Sequence, residues 1–525
     1  MRRSISGFAL LFTSVSAILG SGWLFTNYYT SVLAGPAAMI SWLVGGAAVI
    51  FIAFIYAELC TLLPITGSST RIPQYTHGTL VNFLFSWIIW LSYAALVPTE
   101  VQAVIQYLSY FFPNMVHANS SLTHTGYFVA SLLMLLVSAI NIFSLRWLLR
   151  ANNFLTVMKI LIPTLVTVTI IAHFFTFKRM IHPAESVFAP YGWHGIFGAV
   201  TTGGIVFAFN GFKQACEMAG EAKNPHRALP FAILGSIFVT LAIYVLLQIA
   251  FYISLTPQNF HGNWTDIILP SNQSPMSAVL KQDNLMSLLP LLYIGAIVGP
   301  LAAALMYASS ASRCMYGMSK NNHIPTVFQK ITAQGNPIYA IMLNFLLGML
   351  MFAPLPGWNA MINFLTSLMA ITYAIGPVCL LALRHQIAHY ERPFRLPFAT
   401  IWATVAFYIC TLLTYWSGWN VISKLSIALI IGLAVLLIHR FLIQSREKFS
   451  LDWRSSIWIW PYFIGITLFS YLGSFGNGSN IVPFGWDMIF IGFFCLFIMW
   501  LAIKFKLPAA TTEKYISELE LSKHA

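Results

Sequence analysis

Long apolar runs alternate with short polar connectors along almost the whole chain. A run of about 20 apolar residues crosses a bilayer as a helix at 1.5 Å rise per residue. By that measure the sequence predicts fourteen spans, at 8–33, 38–63, 79–111, 125–145, 152–176, 196–219, 229–255, 287–319, 337–354, 360–385, 398–418, 422–444, 457–474 and 485–505. Twelve is the alternative count, with the last four spans in question. The connectors are too short for a soluble domain. The expected fold is all-α and polytopic, with the lipid bilayer as its solvent. The 256–286 connector reads as a loop or partial lid, and 507–525 as a short tail of mixed charge with no role assigned.

Composition sharpens this picture. Of 525 residues, 58% are apolar and only 8% charged, where a soluble domain carries nearer a quarter charged. The formal net charge of +13 would suggest nucleic acid in a soluble chain. Here it collects in loops on one side. With the N-terminus cytoplasmic, 21 of the 27 Lys and Arg residues fall on inside segments. Only Lys178, Arg179, Lys281 and Lys424 fall outside, and Lys159 and Lys213 stay within spans. That skew is the positive-inside pattern. It gives an inner (plasma) membrane protein with both termini cytoplasmic and no call for nucleic acid. The six cysteines are scattered, form no CxxC pair, and read as small buried hydrophobes. The first apolar run is long and lacks a small-residue cleavage site, so it reads as a span and not a signal peptide. No HExxH and no P-loop pattern occurs, so neither a metal, another cofactor nor direct ATP drive is expected, and the chain does not read as an enzyme.

Two spans are interrupted at mid-depth. Span one contains Ile18-Leu19-Gly20-Ser21-Gly22-Trp23. Span six contains Thr201-Thr202-Gly203-Gly204 and then Phe207-Ala208-Phe209-Asn210-Gly211-Phe212-Lys213. Glycine inside a helix costs roughly 1 kcal/mol against alanine, and in lipid the freed backbone groups need partners. Close helix packing is one reading of the glycines. The other is a broken helix lining a cavity. Spans one and six are matching elements of two five-helix halves, and matching breaks point to an inverted-repeat transporter. At such a break a half-helix N-terminus offers N–H groups to a carboxylate, while unwound carbonyls accept from an ammonium. Together they suit the two charged ends of an α-amino acid.

Ionisable residues inside spans are functional candidates by default. They are Glu58, Glu100, Lys159, Lys213 and Glu217. Lys159 reads as a proton carrier, a fixed cation or half of a structural salt bridge. Lys213 reads as a receptor for a side-chain carboxylate or as the partner of Glu217, one helical turn on. Glu100 reads as a protonation site, a counter-charge for Lys213, or a side chain snorkelling outward. Glu58 and Glu217 lie nearer the basic face, where structural pairing is expected.

These residues resemble the amino acid–polyamine–organocation superfamily of permeases. The likeness is carried by Gly20-Ser21-Gly22, by Trp42 and Tyr56-Ala57-Glu58-Leu59 with Pro64 and Gly67, and by Asn153 with Lys159. It continues through Phe209, Gly211-Phe212, Gly220-Glu221, Lys223-Asn224-Pro225, Arg227 and Pro230. Arg313, Tyr316 and Pro325 follow, then Arg392-Pro393-Phe394-Arg395 with Pro397. The resemblance covers roughly residues 8–400. It implies a 5+5 inverted-repeat core over 1–395, accessory helices over 396–506 and a cytoplasmic tail over 507–525. It implies a substrate carboxylate on the backbone near Ser21 and Gly22, and an amine on carbonyls around Ile18, Phe207, Ala208 and Asn210. Phe207 falls where the family often has an aromatic gate, and Lys159 would carry the coupling proton. The chain departs from the family at Lys213, where an acid is common, at Ser319-Lys320-Asn321-Asn322, and at Pro98-x-Glu100. A basic residue at 213 with an acid in span three looks like the aspartate–proton symporter branch. The expected activity is proton-coupled amino acid uptake by alternating access, possible acidic substrates included. An exchanger, a cationic amino acid or polyamine carrier and a non-transporting nutrient sensor are the alternatives.

Overall fold

The computed structural model describes residues 5–524 apart from 66, 118, 144, 177–187, 257–258, 260–263, 268, 270–273, 333–334 and 443–449, and it describes no side chains at 145–153, 175–176 or 519–524. Lys178, Arg179, part of the 256–286 connector and the Asn153 side chain therefore lie outside the described residues, while the connector's described part includes the helix Pro275–Gln282.

The described residues form helices and no sheet, and they contain eleven helices long and apolar enough to cross a membrane. One of these, Gly22–Leu62, joins the second half of span one to span two through a tight turn at Gly35–Ala37, where Pro36 follows a glycine with φ of +59°. Separating those two, and adding the interrupted span six and the shorter Ile338–Met351 of span nine, gives the fourteen spans that hydropathy predicts.

Hydropathy does not rank the spans by depth. Thr79–Leu108 (span three) and Gly357–Gln386 (span ten) both have a mean hydropathy of 1.9, and 94% and 100% of their most apolar stretch is buried. Trp419–Leu442 (span twelve) has a mean of 2.6 and only 22% buried. The most apolar helix faces lipid, where nothing polar is tolerated. The central helices carry polar side chains because they face the interrupted backbone of spans one and six.

The basic ends of the spans are fastened to one another. Glu58 of span two accepts from Arg384 Nε at 2.9 Å, Arg384 Nη2 at 2.7 Å and the Leu396 N–H at 2.7 Å, with Arg392 Nε 3.5 Å away. A buried carboxylate needs this degree of pairing, so Glu58 is structural. The helix Ser68–His77 lies between spans two and three, and Asp452 caps the start of span three through the Thr79 N–H at 2.9 Å. The 507–525 segment, unassigned from sequence, forms the helix Ala509–His524. Its Thr512 and Ile516 share one buried face at helical spacing, and Thr512 Oγ1 donates to the Tyr75 carbonyl at 2.8 Å. Leu507 N–H donates to the Thr76 carbonyl at 2.9 Å.

His77 closes this joint. Its ring nitrogens meet Thr76 Oγ1 at 2.9 Å and the Ala502 carbonyl at 3.1 Å. Burial pushes its imidazole down to about 4. The unfolded chain takes up that proton near 6.5 and the folded chain does not, so stability is complete above about pH 6.5 and falls as pH drops toward 4. Thermal unfolding of the detergent-purified chain should show a melting temperature that declines over this window. His77→Gln should flatten the decline, and an unchanged pH profile would remove His77 from it.

Candidate functional site

Span one stops at Ile18 and resumes at Gly22. The Leu19 N–H still reaches back to Val15 O at 2.9 Å, and the Gly20 N–H turns to Ile18 O at 2.9 Å. The second half-helix then opens with free N–H groups and a positive dipole end. One of these, Ser21 N–H, donates to Glu100 Oε2 at 2.8 Å. Glu100 is 2% exposed, which overturns the outward-snorkelling reading of that residue. The position expected for a substrate carboxylate thus already binds a carboxylate of the protein. Gly20 is required beside it, because a Cβ there would run into the Glu100 carboxyl group.

The carbonyl side of the break is capped as well. Lys159 Nζ donates to Ser16 O at 2.7 Å. Tyr307 Oη sits 2.9 Å from Ala17 O and 3.2 Å from Asn210 O, while accepting from Asn210 Nδ2 at 3.1 Å. Tyr244 Oη is 3.1 Å from both Ile18 O and Ala208 O. Tyr373 Oη donates to Asn210 Oδ1 at 3.1 Å. A phenol has one proton. Tyr244 and Tyr307 therefore offer two protons to four carbonyls, and with the Gly20 N–H also on Ile18 O the cluster is one donor short.

Span six breaks twice, between Thr201 and Ile205 and again between Ala208 and Gln214. Gly211 explains the second break. Its φ is +124°, and a Cβ would come within 2.7 Å of the Ala17–Ile18 backbone. Only glycine lets the two interrupted backbones lie against each other there.

Side chains close the site in both directions. Trp358, from the start of span ten, donates its indole N–H to Ser21 Oγ at 2.7 Å. It stacks on Phe25 at 4.8 Å and on Tyr29 at 5.7 Å, with the Phe207 ring edge-on at 5.5 Å. Toward the basic face, Lys213 Nζ lies over the rings of Tyr56 and Tyr373 at 5.0 and 5.1 Å. Lys213 is 5% exposed, and among the described residues no carboxylate lies within ion-pair distance of it. The direct Lys213–Glu217 bridge considered from sequence is therefore not formed. Glu217 instead accepts from Ser69 and from Tyr93 Oη, the latter at 3.3 Å, and its own carbonyl takes the Gly67 N–H at 2.9 Å. All six cysteines are free and buried.

Ile18, Gly20, Ser21, Gly22, Phe207, Ala208, Asn210, Gly211, Glu100 and Lys159 thus gather around the two breaks, with Lys213 one step toward the basic face. Sequence reasoning missed Tyr244, Tyr307, Tyr373 and Trp358. A tyrosine buried at mid-span must place its hydroxyl on a partner, and that is the signal that could have found them. Among 42 Phe, 22 Tyr and 16 Trp it does not stand out.

A many-spanned helical protein whose first and sixth spans break against each other, with charged and phenolic side chains on the loose backbone, is a membrane permease. The chain belongs to the amino acid permease family, whose model matches residues 5–436. It is 33% identical to the glutamate/serine transporter AimA of Bacillus subtilis over 95% of this chain and 93% of the relative. It is 31% identical to the aspartate-proton symporter of the same organism over 98% of each. The branched-chain amino acid permease BcaP of B. subtilis is 26% identical over 84% of this chain and 93% of the relative.

Tyr244→Phe removes one of the two hydroxyl protons serving four carbonyls. A buried acceptor left without a donor costs about 1–3 kcal/mol, so the variant should melt at a lower temperature than the parent. An ammonium-bearing substrate resupplies donors, so saturating substrate should narrow the gap. A gap that substrate leaves unchanged would take these carbonyls out of amine recognition.

Proposed function

We propose that this permease couples the uptake of an amino acid, with acidic side chains preferred, to the inward movement of a proton. The observation that carries the reading is the Glu100 carboxylate on the Ser21 N–H. Ionised, Glu100 competes with a substrate carboxylate for the half-helix N-terminus. Protonated, it loses the charge that makes that hydrogen bond strong and yields the N–H to substrate. Substrate carboxylate and proton then bind together from the proton-rich side and leave together on the other. Lys159 holds the opposite end of the same break at Ser16 O, and its charge steadies the ionised state of Glu100 when substrate has gone.

Lys213 supports the acidic preference. Span one meets first the carbonyls of Ala17 and Ile18 and then the Ser21 N–H. Span six runs the other way and meets Ala208 and Asn210 before Lys213. The order across the site is an anion receptor, a donor-poor carbonyl cluster and a cation between tyrosine rings. A carboxylate, an ammonium and a second carboxylate match that order. The names of two relatives, a glutamate/serine transporter and an aspartate-proton symporter, agree with it. Backbone contacts near Ser21 and Gly22 hold the α-carboxylate, and carbonyls at Ile18, Phe207, Ala208 and Asn210 hold the amine. The residues that cap both breaks all lie within 1–395, which we read as the working core, with 396–506 accessory. The charge skew supports a plasma-membrane protein with its basic face and both termini in the cytoplasm. The two breaks serve as hinges for alternating access.

Uptake of labelled aspartate, glutamate, serine and leucine into proteoliposomes, with and without an inward proton gradient, tests this reading. Gradient-stimulated uptake of aspartate or glutamate is expected. Uptake only against a preloaded amino acid would replace symport by exchange. Glu100→Gln should retain binding but lose stimulation by the gradient, and persistent stimulation would remove Glu100 from coupling. Lys213→Met should weaken acidic substrates about tenfold to a hundredfold, the worth of a charged hydrogen bond, and neutral ones little. An equal loss for both classes would exclude side-chain recognition by Lys213.

A further inference from the structure

Away from the breaks, span twelve and Ile459–Leu472 (span thirteen) run antiparallel and part slightly along one side. The groove between them has a volume of about 610 Å³. Leu429, Ile430 and Leu433 line one wall, Phe463, Ile464 and Leu468 the other, and Leu84 of span three lies at the basic end. The polar atoms of the wall, Ser426 Oγ and Thr467 Oγ1, bond each other at 3.0 Å, so the lining presents hydrocarbon. Trp419 and Tyr471 meet edge to face at the far end with ring centres 5.1 Å apart, and Trp460 stands at the basic end.

Dimensions decide the occupant. From Trp460 to Tyr471 the groove follows span thirteen for about 17 Å at helical rise, close to one leaflet of a bilayer whose core is about 30 Å thick. An extended acyl chain of one leaflet's length lies along a groove of this length.

The stripe of groove residues on span twelve continues past Leu433 to Leu437 and Arg440, at the same helical spacing. Leu437 is exposed. Arg440 is half-buried, and its Nε is shielded from solvent with no hydrogen-bond partner among the described residues. Counting equal numbers of residues along the two helices from Ser426 opposite Thr467 leads Arg440 toward the turn Trp453–Ser456, where Arg454 is exposed. A guanidinium at the basic end of an acyl-length groove is the recognition pattern for a phosphate headgroup.

We propose that this groove is a binding site for one anionic phospholipid, with an acyl chain between spans twelve and thirteen and its phosphate at Arg440. The site lies apart from the helix breaks and stands whether or not the transport reading above holds. The test is native mass spectrometry of the full chain in mild detergent, titrated with phosphatidylglycerol or phosphatidylcholine. The parent should bind one phosphatidylglycerol in preference to phosphatidylcholine by about fivefold, the discrimination that one basic residue gives near a membrane surface. Arg440→Gln should abolish the preference. Thr467→Trp, which fills the groove, should reduce binding of both lipids. Leu468→Trp serves the same purpose at a position 53% exposed, where substitution leaves the packed interior alone. Unchanged preference in Arg440→Gln, or unchanged binding in the filled-groove variants, would overturn the site. So would a dimer that excludes lipid and is lost in Leu468→Trp.

Discussion

Loose backbone inside a membrane is the constraint on which the rest of this structure depends. Each N–H or C=O freed by the breaks in spans one and six costs several kcal/mol if left bare in a low-dielectric interior. Four other spans supply what those groups need. Span three sends Glu100 to Ser21 N–H, span five sends Lys159 to Ser16 O, and span seven sends Tyr244 across both breaks. Span eight adds Tyr307, and span ten holds the side chains of Asn210 and Ser21 at the breaks through Tyr373 and Trp358. The burial pattern follows from this convergence. Spans three and ten, which carry Glu100, Tyr373 and Trp358, pack inward, and the strongly apolar span twelve is left to face lipid.

The caps differ in kind, and the difference gives the site its chemistry. Trp358 and Tyr373 each match one donor to one acceptor and hold the closed arrangement as structure. Tyr244 and Tyr307 are shared between carbonyls that one proton cannot serve at once. Glu100 and Lys159 put ionisable groups on the two ends of a single break, where a change of protonation alters the strength of the hydrogen bond directly. Structural, donor-poor and titratable contacts thus occur within a few residues of one another, and the last two kinds are the ones that a charged substrate would replace under the proposed function.

Much of this is legible in the sequence. All fourteen spans follow from hydropathy, because a bilayer imposes one length on every crossing helix. Both breaks follow from glycines at matching depth in spans one and six, and Glu100, Lys159 and Lys213 stand out because charge is rare inside a membrane. The pairing of caps to carbonyls is not legible. Tyr244 meets Ile18 across 226 positions of sequence and Tyr307 meets Ala17 across 290, and no local pattern encodes such distances. Direction is also lost: the sequence leaves open whether Glu100 points outward or to span one, and whether Lys213 bridges Glu217 or stands between two rings. The tail helix escaped for another reason, since the single buried face marked by Thr512 and Ile516 is too narrow to read as an apolar stripe.

The capping pattern also bears on which kind of carrier this is. An obligate exchanger works by making closure costly unless a ligand completes the site. In this permease Glu100 satisfies the Ser21 N–H, and Lys159, Tyr244 and Tyr307 satisfy much of the carbonyl face, with Trp358 closed over Ser21. The protein's own side chains therefore supply most of the partners that the breaks need. A carrier that can close on its own groups can return through its closed form after releasing cargo, which a symporter must do in every cycle and an exchanger must avoid. In the proposed symport, the closed form that the Glu100 carboxylate stabilises is the one in which the proton has already gone, which would tie the order of events to a single hydrogen bond at the mouth of a half-helix.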